Sequence, residues 1–240
     1  MVGTSMNRTA RFLHRALQRY FNIKVVRLTP ARVKGAFLNG SRQLYQRKLV
    51  TFDIPENARV LDIGSGPAPF PRATVLCERY LDETVHRHGT LITHGIPMVV
   101  ADIHALPFRD KVFDFVYSAH VLEHVEDPIR ACREVMRVGK KGYLETPNFM
   151  KDVLSCQAEI MHHRWHTVAR GNTLFFFEYS QRQLEGIRSS AWNDLIWSEH
   201  YHPLQDAFVD NQDLFNTMFL WSDRFDLQVV TKDGALLRSQ

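Results

Sequence analysis

Between Arg59 and Thr146 the chain gathers short runs of bulky apolar residues, and none of them alternates apolar with polar positions. Arg59–Ile63, Val75–Cys77, Met98–Ala101, Phe113–Tyr117 and Tyr143–Thr146 read as strands, the first entered through a turn at Pro55-Glu56-Asn57. Strands that are apolar on both faces belong to a parallel sheet covered on both sides. Asp127-Pro128 opens a helix, because Asp caps free N–H groups and Pro is tolerated at the first helical position. Ile129, Cys132, Val135 and Met136 give that helix an apolar face, and Gly139 ends it. Strands and helices in this alternation predict an α/β fold: a doubly wound, mostly parallel Rossmann-like sheet with helices on both faces and its ligand at the carboxyl ends of the strands.

After Pro147-Asn148 the pattern changes. A helix is expected from Met150 to Met161, then a hairpin of Trp165–Ala169 and Thr173–Tyr179 around Arg170-Gly171-Asn172. Ser180 is placed to cap a helix reaching Ile187. A loop rich in Trp and His follows, then a helix over Leu214–Leu220 and a last strand at Phe225–Val230. No linker sets this region apart. The expected organisation is a basic helical arm (1–52) and one domain (53–240), with a core at 57–148 and a C-terminal cap-like elaboration at 149–240 that faces substrate.

Charge singles out the arm. The 240-residue chain has a net charge of +4, yet no Asp or Glu precedes Asp53, so the remainder is net acidic. Phe12, Leu13, Ala16, Leu17, Tyr20 and Phe21 recur at helical spacing with Arg8, Arg11, Arg15 and Arg19 largely opposite, in a stretch broken near Thr29-Pro30 and again near Gly40-Ser41. Three readings fit: an apolar stripe packed on the domain, a basic face for an anionic membrane surface or nucleic acid, or a transit peptide. No apolar run approaches the ~18 residues that span a bilayer. Cys77, Cys132 and Cys156 show no CxxC spacing and lie among apolar residues. They read as reduced thiols of a cytoplasmic protein.

The chemistry is carried by Val60-Leu61-Asp62-Ile63-Gly64-Ser65-Gly66, a strand running into a glycine turn with one carboxylate at its end. Glycine removes Cβ where backbone must approach a ligand, an arrangement suited to a nucleoside cofactor. Val99-Val100-Ala101-Asp102-Ile103-His104-Ala105-Leu106-Pro107-Phe108 follows, then Phe113-Asp114-Phe115-Val116-Tyr117-Ser118-Ala119-His120-Val121-Leu122-Glu123-His124. In this order the series resembles the class I S-adenosylmethionine-dependent methyltransferases, in the type 11-like branch, over residues 57–148.

The resemblance implies methyl transfer by direct displacement to oxygen or nitrogen of a small or medium acceptor, with S-adenosylmethionine as cofactor. It implies that Asp62 holds the amino-acid end while the backbone of Gly64, Ser65 and Gly66 passes beneath the methionyl and ribose parts. An acid after the second strand would accept from the ribose hydroxyls, and Glu78 is the candidate. Asp102 would accept from the adenine amine, the Ile103 N–H would meet a ring nitrogen, and Leu106, Pro107 and Phe108 would wall the base. The backbone at Ser118 and His120 would follow the methionine, with His120 nearest the methyl donor and the candidate general base. The plain alternatives are that Asp62 caps its turn and Asp102 is a solvated loop carboxylate.

One stretch departs from the common pattern. Eight residues separate Gly66 from Val75, and Pro67, Pro69 and Pro71 are among them, leaving no room for the usual long helix. Either a proline-rich loop leads into a strand ending at Glu78, or residues 70–88 form a helix, Glu78 lies on the surface and Thr90–Thr93 becomes the strand. His120-x-x-Glu123-His124 also resembles the Glu-x-x-Glu-His metal set of small-RNA 2′-O- and ubiquinone-pathway O-methyltransferases, with His in place of the first Glu. His162, His163 or His166 would have to complete such a set, and no metal ligand is assigned. Phe175 to Phe177, Trp165, Trp192, Trp197 and Tyr201 make the C-terminal third aromatic, chiefly for packing. The competing function is a non-catalytic protein of this fold whose arm binds nucleic acid or an anionic membrane. An aminopropyltransferase would need an acidic cluster after Ser118, and beyond Glu123, Glu126 and Asp127, which the helix start explains, the sequence has none.

Overall fold

The apolar runs become strands, as a computed structural model shows for residues 41–82, 90–156, 160–198 and 202–238. The basic stretch up to Gly40, with its expected helices, and Tyr201 lie outside the described residues. Helix α1 (Ser41–Leu49) precedes β1 (Val60–Ile63), β2 (Val75–Glu78), β3 (Met98–Val100) and β4 (Phe115–Ala119). Helix α2 (Pro128–Val138), β5 (Lys141–Pro147), α3 (Phe149–Ser155) and a 3-10 turn (Ile160–His162) follow. Next come β6 (Trp165–Arg170), β7 (Thr173–Glu178), α4 (Gln181–Arg188), α5 (Trp192–Trp197), α6 (Pro203–Asp210) and α7 (Gln212–Phe215). β8 (Asn216–Ser222), β9 (Asp226–Val230) and β10 (Leu236–Arg238) close the chain.

The main sheet has six strands in the order β3-β2-β1-β4-β5-β8, parallel except for β8. Alternation along each strand sends side chains to two cores. Leu61, Ile63, Val116 and Leu144 pack with Ala131, Cys132, Val135 and Val138 of α2. Val60, Phe115, Tyr117 and Tyr143 pack on the other face against Ile54 and Phe70, with Phe52 alongside. Phe70 stacks on Tyr117 with ring centroids 4.3 Å apart. Helix α2 starts as its sequence dictates, the Asp127 side chain accepting from the Arg130 N–H with Pro128 in the first turn.

The proline-rich segment contains no helix, and β2 pairs parallel with β1 through Ile63 and Cys77, so Glu78 ends a strand and Thr90–Thr93 forms none. Two expectations are corrected. Helix α3 ends at Ser155 because Cys156 leaves helical backbone (φ −105°, ψ 20°), and Ile160 packs in a separate cluster with Tyr179, Leu184 and Ile187. The expected helix over Leu214–Leu220 is mostly strand β8, which runs antiparallel along the whole of β5, from Lys141 opposite Ser222 to Pro147 opposite Asn216. An open strand edge offers a row of unpaired backbone groups, and filling it outweighs local helical preference.

Strands β6 and β7 form the expected hairpin and join β9 and β10 in a second sheet ordered β10-β9-β7-β6. Its Trp165, Leu174, Phe176, Leu227 and Val229 share one apolar core with the main sheet. Ser180 and Gln183 form a reciprocal cap on α4. The Trp- and His-containing loop supplies α5 and α6, and Ile196, Phe208 and Phe215 bury together.

A Cβ at Gly142 would lie 2.2 Å from the Val116 carbonyl oxygen and 2.9 Å from the Trp221 ring, while one at Gly186 in α4 would meet nothing within 4 Å. Gly142→Ala is expected to lower stability by about 3 kcal/mol through overpacking. Gly186→Ala is expected to raise it by about 0.5–1 kcal/mol through helix propensity. Urea denaturation midpoints of the two variants test this opposition of sign.

Candidate functional site

Strands β1, β2 and β4 end side by side, and the groups following them meet at one edge of the sheet. β1 delivers Asp62, 1 % exposed, and then a turn in which Gly64 (φ +71°) and Gly66 (φ +54°) are left-handed. A Cβ on Gly64 would also approach Val121 Cγ2 to 2.2 Å, so both space and backbone demand glycine there. Asp62 Oδ2 accepts from the Phe70 N–H at 2.7 Å, whereas buried Oδ1 has no hydrogen-bond partner. Burial pushes the Asp62 carboxyl up to about 7, against the opposing Phe70 N–H and Arg42 and with a further push from Glu78.

Glu78 folds over the glycine turn: Oε1 accepts from Ser65 Oγ at 3.1 Å and from the Gly66 N–H at 2.5 Å. Asp102 follows β3, half-buried, with Oδ1 accepting from the His104 N–H at 2.9 Å and from His104 Nδ1 at 2.6 Å. Asp102 Oδ2 lies 3.2 Å from Arg79 Nε. The Asp127 N–H donates to His104 Nε2, which places the imidazole proton on Nδ1 toward Asp102. Burial favours neutral Asp102, but His104 and Arg79 outweigh it and hold the carboxyl below its ordinary value. The Cys77 thiol, pushed up to about 12 by burial and then by Glu78, Asp102 and Asp62, senses all three acids from the middle of this edge.

Ile103 is buried in the main core. Leu106 is pinned to α2, its N–H donating to Glu134 and its carbonyl accepting from Arg137. Phe108 packs edge-on against Phe113. Ser118 Oγ donates to the Ile63 carbonyl, tying β4 to β1 at the same edge. His120 is left-handed (φ +60°) and projects between two carboxylates, with Nδ1 3.4 Å from Glu123 Oε1 and Nε2 3.4 Å from Glu145 Oε1.

Glu145, which the sequence reading did not single out, is the most heavily engaged group in the site. It is 1 % exposed on β5 and accepts from Tyr45, Tyr143 and, at 2.8 Å, Gln46 Nε2. Gln46 Oε1 accepts in turn from Tyr117 Oη at 3.0 Å. Burial alone would raise the Glu145 carboxyl, but His120, Tyr143 and Tyr45 take it down to about 2. Glu123 also falls to about 2, its burial overcome by His124, His120 and His163. The signal was present in the sequence: a lone acid within Gly142–Pro147 cannot be buried unpaired.

Helix α1 thus brings part of the basic arm over the sheet edge. Arg42 Nη2 donates to the Ala68 carbonyl at 3.1 Å and Gln43 Nε2 to the Pro69 carbonyl at 3.0 Å. Arg42 Nε is buried without a partner. Burial works against its charge, and Tyr117, Glu145 and Asp62 more than compensate. Among the described residues no helix is long and apolar enough to cross a membrane.

Residues 61–144 match the family model described as "Methyltransferase domain". An uncharacterized methyltransferase of Schizosaccharomyces pombe is 31 % identical over 107 residues, which are 37 % of this chain and 38 % of that protein. An uncharacterized methyltransferase of Mycobacterium sp. (strain KMS) is 33 % identical over 122 residues, 48 % of each chain. The matched region spans less than half the length of these curated relatives. A solved S-adenosylmethionine-dependent methyltransferase from Thermotoga maritima superimposes with a TM-score of 0.41 at 18 % identity, over 74 % of this chain and 78 % of that one. The motif order, the strand order and the match to the methyltransferase-domain model agree over the same stretch, so residues 61–144 are similar to a methyltransferase domain.

Proposed function

We propose that this protein transfers a methyl group from S-adenosylmethionine to an oxygen or nitrogen of a small or medium acceptor. The observation that carries the reading is a pair of buried polar atoms of opposite character, Asp62 Oδ1 and Arg42 Nε, neither with a hydrogen-bond partner. Orphaned buried polar atoms cost stability, so their retention speaks for a ligand that satisfies both. The zwitterionic end of an amino acid does so, its ammonium with Asp62 and its carboxylate with Arg42. Glu78, held over the glycine turn, suits vicinal hydroxyls of a ribose, and Asp102 with the Ile103 N–H suits an adenine edge. S-adenosylmethionine supplies a methyl already activated on a sulfonium, so the protein's task is alignment, exclusion of water and removal of the acceptor's proton.

His120 is the group suited to the last task. An imidazole at the end of β4 can take the proton of an acceptor O–H or N–H. The carboxylates of Glu123 and Glu145 on either side then stabilise the imidazolium that results. Tyr45 and Gln46 of α1 hold Glu145 in place for this role, and Tyr45 joins His120 and Tyr143 in favouring its carboxylate.

Two outcomes follow. In the free protein Asp62 stays protonated up to about 7, whereas an ammonium ligand favours its carboxylate. Cofactor affinity is therefore expected to rise as pH rises through about 7, with proton release on binding below that pH and little above it. Calorimetry at pH 6 in buffers of different ionisation enthalpy measures the release. Asp62→Asn should abolish it and weaken binding by about 1–3 kcal/mol. Wild-type protein that binds no S-adenosylmethionine at any pH would refute the reading. Separately, His120→Asn, whose side chain tolerates left-handed backbone, is expected to lower kcat by about 100-fold or more while cofactor Kd stays within about twofold. Once an acceptor is in hand, single-turnover rates beside calorimetry separate these effects.

A further inference from the structure

Glu123 has a second set of neighbours besides His120. Its carboxylate, His124 and His163 bring one oxygen and two imidazole nitrogens within 4.8 Å of one another, on residues otherwise separated by nearly forty positions of chain. Glu123 is 1 % exposed, and its Oε2 is buried with no hydrogen-bond partner. From these groups we infer a divalent transition-metal site made by Glu123, His124 and His163.

The arrangement of the two rings carries the inference. His163 Nδ1 lies 2.9 Å from Asp152 Oδ1, and Asp152 Oδ2 accepts from Tyr179 Oη at 2.6 Å. His124 Nδ1 lies 3.0 Å from the His162 carbonyl oxygen. In both rings Nδ1 therefore faces an acceptor, which fixes the proton there and leaves Nε2 as the metal-binding atom. A carboxylate or carbonyl behind a histidine in this way is the usual support of a metal ligand. The rings meet edge to face, with centroids 4.9 Å apart.

The spacing is also open enough for a shared ion. His124 Nε2 is 3.8 Å from Glu123 Oε1. Charge-assisted hydrogen bonds measure about 2.7–2.9 Å. Ligand atoms each about 2.1 Å from one metal ion stand roughly 3–4 Å apart. The observed separation is too long for the first and fits the second. Two imidazoles and one carboxylate suit Zn²⁺, Co²⁺, Fe²⁺ or Mn²⁺ better than Mg²⁺ or Ca²⁺. Three protein ligands leave coordination positions open to water, or to an oxygen of the acceptor, beside His120. That acceptor contact rests on the methyl-transfer reading; capture of the ion does not.

The test uses the full chain, stripped with a chelator and titrated with Co²⁺ and Zn²⁺. We expect one Co²⁺ per chain with visible absorption bands, displaced by Zn²⁺. His124→Ala, at a half-buried position that tolerates truncation, is expected to weaken binding at least 100-fold. Asp152→Asn, which removes the carboxylate charge behind His163, is expected to weaken it about 10–100-fold. Circular dichroism of each variant verifies folding. Absence of stoichiometric Co²⁺ and Zn²⁺ uptake by folded wild-type protein overturns the inference, as does undiminished uptake by His124→Ala. Titration of the same preparation with S-adenosylmethionine keeps the outcomes apart: cofactor binding without metal uptake sinks the metal site alone, and the converse sinks the methyl-transfer reading alone.

Discussion

A carboxylate in the middle of a sheet edge is costly unless donors surround it, and Glu145 sits on β5 with 1 % of its surface exposed. Tyr143 from the same strand, Tyr45 and Gln46 from α1 and the His120 imidazole meet that requirement together. Removing any one leaves a buried charge short of a partner, which costs far more than an exposed hydrogen bond returns. The same requirement docks α1. Without Glu145 to satisfy, a helix bearing Arg42, Gln43, Tyr45 and Gln46 would have little apolar surface to hold it there. With Glu145 in place, the helix covers the edge and carries Arg42 to the neighbourhood of Asp62.

The remaining carboxylates follow from sheet geometry. In a parallel sheet all strands end at the same edge, so acids placed at the ends of β1, β2 and β3 converge without being near in sequence. What differs is their surroundings. Asp62 is buried and lacks a cation at hydrogen-bonding distance, so its carboxyl rises; Asp102 is partly exposed and meets His104 and Arg79, so its carboxyl falls. One edge therefore presents acids of different ionisation to different parts of a ligand.

The C-terminal third, which follows the sheet with no linker, is built into the core. β8 completes the main sheet, and Trp165, Leu174, Phe176 and Leu227 belong to the same core as Leu61 and Val116. Asp152 of α3 and Tyr179, just after β7, hold His163 beside Glu123 and His124, so His163 owes its position to this region.

By itself the sequence determined the parallel sheet, its glycine turn, the cap of α2 and the acids at the strand ends. Each depends on local features: unbroken apolar runs, glycine where φ is positive, and Asp before Pro. It left open whether Val75–Glu78 was strand or helix, because a short apolar run fits both. Tertiary structure decided that question by pairing the segment with β1, and it turned Asn216–Ser222 into a strand by offering the free edge of β5. It also decided the distant companions of Glu145 and Glu123: Tyr45 and Gln46 come from α1, and His163 comes from the segment before β6. Contacts between residues as far apart as Tyr45 and Glu145 have no local periodicity to betray them; only burial of charge, a property of the folded chain, brings them together.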